Sequence, residues 1–136
     1  NEIAQTVQVM SRQVDFIYVP LDNTIANAMQ TVVKEANKAN IPVIPSVDTM
    51  VEQGGLATIG INQYQLGLQS GKMAAELASG KEKPETTPVY TFDQGDTVIN
   101  QSQADRLGII VPQSMKEKAK IITDDSQQET SKEDDK

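Results

Sequence analysis

The chain has 136 residues, 38% hydrophobic and 23% charged, which fits one compact α/β domain or part of a larger protein. It contains neither His nor Cys, which excludes a Ser-His-Asp triad, a thiol nucleophile, a His or Cys zinc site and an iron–sulfur cluster. The net charge of −7 argues against a nucleic-acid partner, because a phosphate backbone requires a basic face.

The first part of the chain predicts a helix, a strand and a second helix. Apolar residues recur at helical spacing over 2–13 and predict an amphipathic helix. The continuous apolar run at 15–20 predicts a strand covered on both faces by helices in a parallel sheet. From Thr24 the apolar residues again follow helical spacing, and Asn40 is suited to the left-handed conformation that ends a helix.

A second and a third strand follow. The second is predicted over 41–47, although Pro42 and Pro45 lack a backbone donor and push it toward a sheet edge or an early end. The segment 48–55 is predicted as a loop, and 56–61 as the third strand.

The next predicted helix carries a stripe of small residues. It runs over about 64–79 and is followed by a polar connector over 81–88. Gly67, Gly71 and Ala75 fall every four residues along it. Each helical Gly costs about 1 kcal/mol of propensity that close packing must offset, so we expect this stripe to lie in the core.

The rest of the chain predicts strand pieces over 89–92 and 97–99 around a turn, and a short helix over 101–107 that ends at Gly108. Pro112 then opens a last helical turn or two, with Met115 and Ala119 facing inward. The β-α-β alternation indicates an α/β fold with a mainly parallel sheet flanked by helices.

The two ends of the chain differ in what their sequences predict. The segment 123–136 holds six acids, two Lys and no apolar residue, so we expect a disordered, solvated tail. No apolar run approaches the roughly 18 residues that a spanning helix needs. The chain begins at Asn1 and has no signal-peptide pattern there, so we interpret it as a mature or excised segment.

Polar residues follow each of the first three predicted strands. Ligands of open parallel sheets bind beyond the carboxyl ends of strands, where loops and helix N-termini converge. The candidate ligand-binding residues are Asp22, Asn23 and Thr24 after the first strand, Asp48 after the second, and Asn62 and Tyr64 after the third.

Each candidate also has a purely structural interpretation. Asn23 or Thr24 could cap the following helix without any ligand. Asp48 could fold back onto its own loop backbone. Asn62 and Tyr64 could be a cap and a packing residue at a helix start.

Asp22 and Asp48 could also hold a hard cation or accept a phosphoryl group. A receiver-type site requires a Lys after a later strand, and neither 60–62 nor 92–94 supplies one. Gly54 and Gly55 make neither a GxGxxG motif nor a phosphate-binding loop. We therefore expect no metal, no cofactor and no catalytic residue.

Several segments, taken in order, resemble one known family. They are DFIYVPLDNT at 15–24, ANAMQTVVKEA at 26–36, IPVI at 41–44 and LATIGINQYQLG at 56–67, continued by GKMAA at 71–75, TVIN at 97–100, ADRLGI at 104–109 and VP at 111–112. In order and spacing this set is similar to the ABC-transporter substrate-binding lipoproteins of the tryptophan/tyrosine type. The resemblance covers about residues 1–122 and leaves out the acidic tail.

The resemblance implies a two-lobed, type I periplasmic-binding-protein fold that closes on its ligand by hinge bending and delivers it to a membrane permease. This chain corresponds to the C-terminal half of such a protein. Its parts would be 1–55 in the second lobe, 56–80 returning to the first lobe, 81–122 as crossover strands and C-terminal helices, and 123–136 as the disordered tail. A signal peptide and a lipid-bearing Cys would lie upstream, anchoring a monomer at the extracellular face of the membrane.

The resemblance also implies a non-enzymatic site for an amino acid, which this chain does not build alone. Asp48 is the expected partner of the α-ammonium group, and helix-start N–H groups or hydroxyls would bind the carboxylate. Only Tyr64 of the five aromatic residues falls on a candidate loop, so the other lobe must supply most of the wall around an aromatic ligand such as tryptophan. The alternatives are a sensing lobe of a transcription regulator and an α/β enzyme that uses Asp22 and Asp48.

Overall fold

A computed structural model describes residues 2–91 and 95–123. It separates into two compact units, unit 1 formed by Asn1–Gly60 with Asp96–Lys136, and unit 2 formed by Ile61–Gly95. The predictions for the tail from 124 onward and for a strand residue at Phe92 lie outside the described residues.

Helices and strands alternate along the described chain. In order they are α1 (Glu2–Met10), β1 (Ile17–Val19), α2 (Asn23–Asn27), α3 (Met29–Lys38), β2 (Val43–Pro45), α4 (Asp48–Glu52), β3 (Ala57–Gly60), α5 (Gln63–Ala78), β4 (Asp96–Asn100), α6 (Gln101–Leu107), α7 (Gln113–Lys116) and β5 (Ala119–Ile122).

The strands of unit 1 form two adjoining sheets. β1 and β2 are parallel, with Ile17 opposite Val43, whereas β3 pairs antiparallel with β4 and β4 pairs parallel with β5. The Leu56 N–H donates to the Val43 carbonyl at 2.7 Å and so joins β2 to the start of β3. The predicted α/β class with parallel strand pairs is confirmed, and the antiparallel β3–β4 pair is an addition to it.

The main core of unit 1 lies between the first sheet and the helices α1, α3 and α4. Met29 and Ala36 of α3, Val43 of β2 and Met50 of α4 are at most 1% exposed. A second cluster joins Val51, Val98 and Ile122. These side chains come from both sheets and from the helices packed on them, so the core holds the strands of each sheet against its helices.

The prediction that the first strand is covered on both faces is wrong for the described residues. Ile17 and Val19 are buried, but Tyr18 between them is 59% exposed. Alternate residues of a strand point to opposite faces, so helices cover one face of β1 and leave the other open.

The two prolines have the effect that was predicted. Among the described strands β2 pairs in a ladder with β1 alone, as an edge strand of the two-stranded sheet, and it ends early, at Pro45. The missing donor of Pro45 costs no pairing, because the next N–H, that of Ser46, donates to the Val19 carbonyl at 3.0 Å.

The long helix predicted from Thr24 is divided into α2 and α3 at Ala28, whose φ and ψ are −105° and 8°. Its predicted end is confirmed, since Asn40 has a φ of 54°. The helical spacing of apolar residues continues across the break, so it could not reveal Ala28 as a cap.

Two short elements were missed by the sequence analysis. The predicted loop at 48–55 contains α4, whose Met50 and Val51 are fully buried. Ala119 begins strand β5 rather than facing inward from a helix, and Met115 on α7 is 44% exposed. Elements of four or five residues are too short for a hydrophobic period to identify them.

Two predictions for residues of unit 2 are wrong. The core position expected for the small-residue stripe of α5 is wrong, because a Cβ added at Gly67 or Gly71 would meet nothing within 4 Å. Residues 89–91 form no strand, and Val89 is 89% exposed. A strand is stable only when a neighbouring strand satisfies its backbone groups, and no described strand pairs with 89–91.

Candidate functional site

The carboxyl ends of β1, β2 and β3 meet at one side of unit 1. The Ser46–Val19 hydrogen bond joins the ends of β1 and β2. A Cβ added at Gly60, the last residue of β3, would lie 3.7 Å from the Ser46 carbonyl oxygen and 3.8 Å from the Asp48 nitrogen. We call this region, formed by 20–24, 46–49 and Gly60, the strand-end edge.

Asp22 lies on this edge as the N-cap of α2. Its extended backbone, with φ −145° and ψ 132°, places Oδ1 to accept from the Ile25 N–H at 3.0 Å. The capping interpretation considered for Asn23 or Thr24 is therefore wrong, since the cap is Asp22 and Asn23 is the first helical residue. Asn23 and Thr24 are both exposed.

Asp48 lies on the same edge, two residues after Ser46. It is the first residue of α4 rather than a loop residue, and its Oδ1 accepts from the N–H of Thr49 at 2.9 Å. The side chain is exposed, so its carboxylate stays available to a solute while this hydrogen bond fixes its direction.

Two candidates belong to unit 2. Asn62 is the N-cap of α5, and its Oδ1 accepts from the Gln65 N–H at 3.0 Å, as in the structural interpretation considered for it. Tyr64, in the first turn of α5, is 72% exposed. The structure therefore brings Asp22, Asn23, Thr24 and Asp48 together on the strand-end edge.

The edge contains two further residues that the sequence analysis did not single out. Ser46 Oγ is buried and has no hydrogen-bond partner among the described residues. Leu21, directly before the cap, is 63% exposed. Burial and exposure at these positions depend on the turn geometry, so no residue pattern could identify them.

The edge presents two exposed carboxylates from adjacent strand ends, and each is oriented by a backbone N–H. Such carboxylates are able to form charge-assisted hydrogen bonds with a cationic group. Within 2–91 and 95–123, no group of three or more acidic side chains is placed to hold a metal ion. In the same ranges, no helix has the length and apolar character required to cross a bilayer.

Comparison with known proteins identifies relatives. A family described as ABC transporter substrate binding protein matches residues 1–122. A tyrosine-binding protein of Clostridioides difficile (strain R20291) is 37% identical over 101 residues, which are 74% of this chain and 29% of that protein. This chain therefore spans less than a third of that relative.

Solved structures agree with this family. An ABC domain from Streptococcus pneumoniae in complex with L-Trp matches with a TM-score of 0.79 and 46% identity, over 90% of this chain and 41% of that one. A ligand-free, open substrate-binding protein from Clostridium difficile matches with a TM-score of 0.73 and 35% identity, over 90% of this chain and 41% of that one. The fold is thus that of a periplasmic-binding protein, in part, and the chain belongs to the ABC transporter substrate-binding protein family.

Proposed function

We propose that the complete protein is the extracytoplasmic solute-binding component of an ABC importer, and that its ligand is an aromatic amino acid of the tryptophan or tyrosine class. The observation that carries this proposal is the position of two exposed carboxylates, Asp22 and Asp48, at adjacent strand ends. The similarity to a tyrosine-binding protein and to a structure in complex with L-Trp supports the ligand class.

In this proposal different residues of the edge bind the ammonium group and the carboxylate of the amino-acid zwitterion. The Asp48 carboxylate accepts hydrogen bonds from the α-ammonium group, because an ammonium group has only donors and an ionised carboxylate has only acceptors. The hydroxyl of Thr24 and the amide of Asn23 are exposed donors for the ligand carboxylate. Asn62 and Tyr64, the two candidates that belong to unit 2, are proposed separately as ligand-binding residues of the complete protein.

The remaining proposals concern the complete protein. Residues 1–55 belong to its second lobe, 56–80 return to the first, and 81–122 contain the crossover strands and C-terminal helices. The ligand is held between the lobes and passed unchanged to a membrane permease, without catalysis. The protein is a monomer that is lipid-anchored at the extracellular face. Membership of a substrate-binding family favours this function over a regulator lobe or an enzyme.

The role of Asp48 is tested by isothermal titration of the complete protein with L-tryptophan and L-tyrosine. Asp48→Asn keeps the size of the side chain and removes its charge, so we expect a loss of affinity of about 30-fold, or about 2 kcal/mol. Asp15→Asn is the matched control, since Asp15 is exposed at the opposite, amino end of β1. Equal affinities of the two variants would contradict the assignment of Asp48.

A further inference from the structure

Leu21 is an exposed leucine that the backbone holds in place on the strand-end edge. Before it, β1 ends in the hydrogen bond from the Ser46 N–H to the Val19 carbonyl; after it, Asp22 caps α2. Only Pro20 and Leu21 separate these two fixed points, and the ring of Pro20 restricts its own φ. The backbone therefore fixes where the 63% exposed Leu21 side chain starts on the edge.

An aromatic amino acid needs apolar contacts as well as partners for its charges. Binding sites for small molecules are mostly apolar, with a few polar groups that fix orientation. On the described edge, the exposed side chains of 22–24 and 48–49 are polar, and Val47 packs against the core. Pro20 and Leu21 are the exposed apolar residues of the edge, and Leu21 is the one directly beside Asp22, with the longer side chain.

We infer that Leu21 is a specificity-determining residue that contacts the apolar side chain of the ligand while Asp48 holds its ammonium group. This inference rests on the proposed function and deepens it. It assigns an apolar contact to the strand-end edge, where the other proposed ligand-binding residues are polar. Leu21 favours ligands with large apolar side chains over small amino acids, since each buried Å² of apolar surface stabilises the complex by about 25 cal/mol.

The test is isothermal titration of the complete protein with L-tryptophan, using three variants. Leu21→Ala removes most of the apolar contact and is expected to weaken binding about tenfold and to make the heat-capacity change of binding less negative. Leu21→Met keeps a similar volume and is expected to stay within threefold of the wild type. Val9→Ala is the matched control, because Val9 is 60% exposed in the last turn of α1, and no change is expected.

Two results would overturn the inference, and they are distinguishable. If Leu21→Ala binds within twofold of the wild type while Asp48→Asn binds weakly, Leu21 makes no contact with the ligand and the proposed function stands. If the wild-type protein binds no amino acid, the proposed function fails and the role of Leu21 fails with it.

Discussion

Glu35 connects two helices of unit 1 through its carboxylate. Gln8 Nε2 of α1 donates to it at 2.8 Å, and Lys38 Nζ of α3 donates at 2.7 Å, while the side chain is 8% exposed. The hydrogen bonds from Lys38 and then from Gln8 lower the pKa of Glu35 from 4.5. Burial of the carboxylate acts in the opposite direction and raises this pKa, so the two hydrogen bonds outweigh it.

Stability should therefore depend on Glu35 in acid. A lowered folded-state pKa means that the contribution of Glu35 is present above pH 4.5, the unfolded value, and is lost as the pH falls through the folded value. We expect Glu35→Gln to be less stable than the wild type at pH 7, with the difference shrinking below pH 4.5. Urea unfolding at several pH values measures this. A difference that does not change with pH would contradict it.

Asn100 and Asn62 are both N-caps, at the starts of α6 and α5, but their surroundings differ. Asn100 is 3% exposed; its Oδ1 accepts from the Gln103 N–H at 2.9 Å, and its Nδ2 donates to the Val51 carbonyl at 3.3 Å. We expect Asn100→Ala to lower the free energy of unfolding by about 2 kcal/mol, against about 1 kcal/mol for the exposed Asn62→Ala. If urea unfolding gives equal losses of unfolding free energy for the two variants, burial of the cap does not increase its contribution to stability.

Gly71 and Gly54 differ in how much space surrounds them, so substitution by Ala should have opposite effects on stability. Gly71 on α5 has open space around it, whereas a Cβ at Gly54 would lie 2.9 Å from Val33 Cγ1 at a φ of 110°. In the 136-residue chain we expect Gly71→Ala to increase helicity and stability by up to about 1 kcal/mol, and Gly54→Ala to destabilise. Circular dichroism melting measures both. A loss of stability in Gly71→Ala would indicate a packing partner for the stripe.

How far the sequence predicts the structure depends on the length of each element. The period of α1 and α3 and the apolar runs of β1 and β3 were sufficient to predict them, and Gly108 and Asn40 marked helix ends correctly. The five-residue α4, the four-residue β5 and the break at Ala28 carry no period of their own, and they form because neighbouring strands and helices hold them. The polar residues of the edge were predictable as a group, but the capping role of Asp22 depends on its extended backbone.

The two units of the molecule differ in how much they bury. Unit 1 contains the buried core clusters, whereas no described residue of 61–91 is buried, including all 16 residues of α5. In the 136-residue chain we therefore expect the amides of α5 to exchange with deuterium faster than those of α3. Exchange monitored by mass spectrometry measures the difference. Equal protection of α3 and α5 would mean that unit 2 is stabilised by more than its own packing.

At the scale of the whole protein, the central claim is that residues at the ends of successive strands bind an amino acid without changing it. The direct measurement is isothermal titration of the complete protein with a panel of amino acids, followed by analysis of the recovered ligand. We expect saturable binding of tryptophan or tyrosine at one site per molecule, with the ligand recovered intact. No binding of any amino acid at millimolar concentration, or recovery of a modified ligand, would contradict the claim.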